Sequence, residues 1–164
     1  MSKPRLIISP KFKLVTAQGL EKQPLGEILQ QANLVSATQI EEALIEQAQL
    51  QERRIGEILA ERGWLKQETA DFFAEKWMHL VLQHKAKQAK QPLGYYLQEA
   101  ALLDENQISA IISEQGQGRL WIRLGTLAVL KGWLKQSTVD FFVENLFPEH
   151  AEDSPFLKAN ARKR

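Results

Sequence analysis

The chain repeats itself, and that repeat constrains the fold more than any other feature. Arg54 to Trp77 reads RIGEILAERGWLKQETADFFAEKW, and Arg123 to Leu146 reads RLGTLAVLKGWLKQSTVDFFVENL. Twelve of 24 aligned positions are identical, among them Arg54/Arg123, Gly56/Gly125, Gly63/Gly132, Trp64/Trp133 and Asp71/Asp140. A second pair stands upstream of each copy. Pro24 to Gln47 (PLGEILQQANLVSATQIEEALIEQ) matches Pro92 to Gln115 (PLGYYLQEAALLDENQISAIISEQ) at eleven of 24 positions. The order is A-B-A-B, four copies of one unit. A unit this short cannot bury an apolar face alone, so neighbouring units must stack.

Each unit reads as a helical hairpin. In the first, Leu25, Ile28 and Leu29 have helical spacing. Asn33 can adopt the left-handed conformation that closes a helix. Ser36 with Gln39 forms a capping box for a second helix, whose inner face carries Ile40, Ala43, Leu44 and Gln47. Gly63 takes the place of Asn33 in the second unit. There the second helix carries Phe72, Phe73, Trp77, Leu80 and Val81, a stripe that outruns the repeat and predicts the longest helix. In the third unit Asp104 and Gln107 form the cap, and Ile108, Ile111, Ile112 and Gln115 the inner face, with Gly116 and Gly118 loosening the joint beyond. The fourth ends at Phe147-Pro148.

The expected fold is mainly α: four short helical hairpins in two pairs, packed about a pseudo-two-fold, with room for a short N-terminal β-ribbon from Arg5–Ser9 and Lys11–Val15. The organisation is an N-terminal arm (1–20), a first repeat pair (21–84), a hinge (85–91), a second repeat pair (92–148) and a disordered tail (149–164).

Charge and composition narrow the function. There are 21 basic and 20 acidic residues, for a net charge of +1, which argues against nucleic acid as the main partner. The helices at Gln39–Gln47 and Gln107–Gln115 are not basic, against a DNA-binding helix-turn-helix. Cysteine is absent, which removes disulfides and thiolate metal sites and fits a reducing compartment. No window approaches a membrane span, and no signal-peptide core is present. A soluble cytoplasmic protein is the expectation. Neither a GxxxxGK[ST] loop nor a GxSxG elbow occurs. His79 and His84 are five apart and point to different helix faces, and no carboxylate pair stands out, so no enzyme and no metal site is expected. Asp71 and Asp140 read as first-turn helix carboxylates.

Binding residues are easier to nominate. Arg54 and Arg123 each precede a helix start, with Gly56 and Gly125 in the first turn. Unpaired backbone N–H groups and the positive dipole end make such a corner anion-friendly. The same glycines equally suit close helix approach. Gln47 and Gln115 occupy face positions that hold Trp77 and Leu146 in the B units, so each needs a polar partner, a backbone carbonyl or a ligand. Trp64 and Trp133 read as core or interface aromatics. Tyr95 and Tyr96 are adjacent on a short helix and cannot both face inward.

The leading [RP]-[LI]-G, the apolar pair after the helix-closing residue and the apolar helix ending in Gln resemble the MshEN-like family, the N-terminal domain of type II secretion and type IV pilus assembly ATPases. The resemblance covers about residues 24–146, as two tandem pairs in series. The GWLKQETADFF wording is also similar to small uncharacterised cyanobacterial proteins. Some MshEN-like domains bind cyclic di-GMP through arginine, glutamine and apolar residues, and others dock proteins. Here Arg54 and Arg123 survive without the terminal Gln, and Gln47 and Gln115 survive beside Pro24 and Pro92 where the family has Arg. Two functions follow from the resemblance. One is a non-enzymatic adaptor with a protein partner, touching it through Tyr95, Tyr96, Trp77 and Trp121. The other is a cyclic di-GMP receptor using Arg54, Arg123, Gln47, Gln115, Gly56 and Gly125.

Overall fold

The computed structural model describes residues 14–15, 21–86, 91–117 and 123–148. The fold is mainly helical. Helices α1 (Leu25–Gln31) and α2 (Ala37–Gln49) are followed by α3 (Ile55–Glu61). A continuous run then comprises α4 (Gln67–Asp71), a π-helical segment (Phe72–Lys76) and α5 (Trp77–Lys85). The second half holds α6 (Leu93–Glu99), α7 (Glu105–Gln117), α8 (Leu124–Leu130) and α9 (Gln136–Leu146). A minimal ribbon pairs β1 (Leu14–Val15) antiparallel with β2 (Glu21–Lys22). The pairing of β1 with β2 was not expected; Arg5–Ser9, the other strand of the expected ribbon, lies outside the described residues, as do most of the expected hinge and the whole of the tail.

Local chemistry sets the helix ends. Ser36 and Gln39 exchange side-chain–backbone bonds across the start of α2, and Asp104 and Gln107 do the same at α7. All four units close their first helix with a left-handed residue: Asn33 (φ 56°), Gly63 (71°), Ala101 (55°) and Gly132 (75°). Ala101 holds that conformation against its own Cβ. Gly116 does not break the chain; it lies inside α7. Asp71 and Asp140 sit a turn later than expected. They accept hydrogen bonds from Gln67 and Gln136, four residues earlier, at 2.9 and 2.8 Å.

The two halves meet reciprocally. Thr69 Oγ1 donates to the carbonyl of Ala100 at 2.7 Å, and Thr138 Oγ1, its equivalent, donates to that of Ala32 at 2.7 Å. Lys66 Nζ reaches Ala101 O (3.2 Å) as Lys135 Nζ reaches Asn33 O (3.1 Å). A contact in which each half uses the same residues on the other is that of an approximate two-fold. Aromatic rings fill its centre. Phe72 stacks on Phe142 at 6.3 Å, Trp77 on Phe141 at 4.9 Å, and Phe73 meets Phe142 edge-on at 5.8 Å. Phe73 and Phe142 are wholly enclosed.

Candidate functional site: a groove across the two halves

The repeated Gly-Trp-Leu-Lys wording converges at this interface. After the left-handed glycine, Trp64, Leu65 and Lys66 lead into α4, and Trp133, Leu134 and Lys135 lead into α9. Together with Thr69 and Thr138 they line an open groove of about 270 Å³. The indoles and leucines are half-buried, and the two lysines are exposed. Arg62 lies over the Trp64 ring at 4.8 Å and Lys131 over Trp133 at 5.4 Å. These outer cations are neutralised: Arg62 by Glu42 and Glu46, Lys131 by Glu114. Lys66 and Lys135 meet no carboxylate among the described residues; each spends one N–H on a backbone carbonyl and keeps two.

The residues nominated from sequence fall elsewhere. Arg54 and Arg123 are exposed N-caps of α3 and α8. Gly56 and Gly125 are buried against the following helix. A Cβ on Gly56 would stand 2.9 Å from that of Ala70, and one on Gly125 would stand 2.6 Å from Val139 Cγ1. Helix approach therefore accounts for both glycines. Gln47 finds a backbone partner, donating to Arg53 O at 3.0 Å. Gln115 is half-buried on α7. Ile112, expected inside, is 57% exposed: α7 turns the centre of its face, Ile111, inward, and Ile112 lies a full step around the helix.

The expected partner surface also divides. Tyr95 is 48% exposed and lines an open pocket of about 330 Å³ with Glu75, Lys76 and His79. The Glu99 carboxylate, bonded to Lys76 at 2.8 Å, holds that ammonium pKa above its usual range. Trp77 and Tyr96 are corrections. Trp77 belongs to the aromatic centre, where its large ring fills space between the halves. Tyr96 is buried with its hydroxyl satisfied: it accepts from the Gln91 N–H and bonds the buried His84 at Nε2, both at 3.0 Å. Trp121 lies outside the described residues.

His84 itself is buried, and its Nδ1 bonds the Leu146 carbonyl at the end of α9. That carbonyl can only accept, so Nδ1 carries the proton, and Nε2 is the atom that bonds the Tyr96 hydroxyl. Nothing in a single histidine on an apolar helix face signalled this network, whose partners lie twelve and 62 positions away.

No group of three His, Asp or Glu side chains suited to a metal occurs among the described residues, and no helix among them is long and apolar enough to cross a membrane.

Fold and groove together define a helical protein whose repeated Trp-Leu-Lys segments meet across an approximate two-fold. The chain belongs to the same family as an uncharacterized protein from Picosynechococcus sp. strain PCC 7002. The two are 38% identical over 141 residues, which is 86% of this chain and 73% of the relative. No protein-family profile matches the chain. No solved structure matches it either.

Proposed function

We propose that this chain is a non-enzymatic adaptor or regulatory module, built on MshEN-like repeats, that acts by binding a protein partner. The observation that carries this reading is the groove: paired indole walls, paired leucines and two ammonium groups that meet no carboxylate among the described residues, open to solvent. Half-exposed tryptophan beside a cation is the composition enriched at interface anchors. The test is photo-crosslinking in the native cell. Benzoylphenylalanine at the exposed Glu68, beside the groove, should yield a discrete protein adduct, and the same group at Glu41 on α2 should not. Equal labelling from both positions, or none from either, rejects the reading.

A second reading, cyclic di-GMP reception, rests on the equivalent exposure of Arg54 and Arg123 at two helix starts. Isothermal titration with cyclic di-GMP beside GTP and cyclic di-AMP tests it. Selective binding lost in Arg54→Ala/Arg123→Ala supports it, and no heat removes it.

A further inference from the structure

The groove's charge and walls specify its occupant more narrowly than "a protein". We infer that it takes an extended acidic segment of the partner, with apolar side chains between its acidic ends; the inference rests on the adaptor reading above. Lys66 and Lys135 supply the charge, one from each half, and both ammonium groups keep donors free. Arg62 and Lys131 add none, since Glu42, Glu46 and Glu114 already neutralise them. Two cations that meet no carboxylate among the described residues are too few to track a nucleic-acid backbone, whose affinity rests on many phosphate contacts. They suit a short carboxylate-bearing segment, for which charge complementarity sets orientation and specificity.

The walls set the rest. Trp64, Leu65, Trp133 and Leu134 offer half-buried apolar surface that only an apolar side chain can cover without stranding a polar group. The reciprocal bonds between the halves make the groove self-similar under reversal. A segment crossing it therefore meets the same three side chains twice, in opposite order. The fitting sequence is close to palindromic in character, with acids at both ends and apolar residues within.

The experiment is calorimetric titration of the full chain with acetyl-Glu-Asp-Phe-Leu-Gly-Leu-Phe-Asp-Glu-amide. Two control peptides carry Lys for every acid, or Ala for every Phe and Leu. The acidic–apolar peptide should bind, and both controls should fail. Lys66→Glu/Lys135→Glu should weaken it by about tenfold or more, and Lys66→Gln/Lys135→Gln by less; circular dichroism checks that both variants remain folded. Added salt should weaken binding, as for exposed charges. No binding of the acidic peptide, stronger binding of the basic one, or indifference to charge reversal overturns the inference. So does cyclic di-GMP binding that is lost in the Lys66/Lys135 variants, which would assign the ammonium pair to a small dianion. If the peptide fails while Glu68 still crosslinks a partner in cells, the adaptor reading stands and only the occupant's chemistry falls.

Discussion

The helices that follow the two Gly-Trp-Leu-Lys segments begin alike and end differently. From Gln67 and Gln136 both run through Thr, Asp and a Phe-Phe pair, and both place the threonine hydroxyl on a backbone carbonyl of the opposite half. Then they part. Helix α9 stops at Leu146, before Phe147-Pro148. Its counterpart passes through the π-helical segment, where the Trp77 N–H bonds the Phe72 carbonyl five residues back, and continues to Lys85. The extra length delivers His84 to the Leu146 carbonyl, so the longer helix caps the shorter one. The difference teaches that the two-fold holds only where both halves make the same bonds. Beyond that point one helix has to end for the other to satisfy its last carbonyls.

Mutations can break or sharpen this comparison. The largest effect is expected at the shared centre. Phe73→Ala and Phe142→Ala should each cost about 3–5 kcal/mol in denaturant unfolding, because both rings are fully enclosed. Similar losses support equivalence of the halves, and a loss near zero at either site breaks it. Next comes the unequal part. His84→Leu leaves the Leu146 carbonyl without its side-chain partner, at about 1–3 kcal/mol, and the Tyr96 hydroxyl with only the Gln91 N–H. Tyr96→Phe should recover part of that loss in the double mutant, and strict additivity in the cycle would mean that the two side chains are not coupled.

Smaller effects follow at the reciprocal bonds. Thr69→Val and Thr138→Val each orphan one carbonyl, of Ala100 or Ala32, and should cost about 1–3 kcal/mol by matched amounts. The smallest change has the opposite sign. Ala101→Gly should stabilise by up to about 1 kcal/mol, since alanine is strained at φ 55°. The same change at Gly63 or Gly132 is unnecessary, as glycine is already there. A destabilised Ala101→Gly protein would show that unfolded-state entropy outweighs the relief.

Much of this was legible in the residues. The caps at Ser36 and Asp104, the left-handed closures at Asn33 and Gly63 and the end at Phe147-Pro148 are local interactions, written within four or five positions of one another. The mutual exclusion of Tyr95 and Tyr96 was also local, because neighbours on one helix point to different sides. What chemistry the candidate site carries was read less well. The equality of Arg54 with Arg123 and of Gly56 with Gly125 drew attention to the helix starts, yet the glycines serve helix approach. Trp64 and Trp133 read as core or interface aromatics, a choice spacing leaves open, and the groove between them needed both halves in position. Ile112 was misplaced for a related reason: helical spacing says which residues share a face, and not how far round the neighbouring helices reach; the same spacing put Trp77 on an inner face, and only its nomination as a partner contact failed.

By itself, then, the sequence determined the elements: repeat length, helix starts and stops, backbone handedness at the turns, and the mainly helical class. These rest on contacts between residues near in the chain, where spacing is geometry. Only the tertiary structure decided which lysines line one groove, that Thr69 and Thr138 cross to opposite halves, and that His84 ends up on Leu146. Those contacts join residues from about thirty to more than a hundred positions apart. Which distant groups meet is fixed by close packing of whole helices, and that information is spread over every buried side chain rather than held in any one motif.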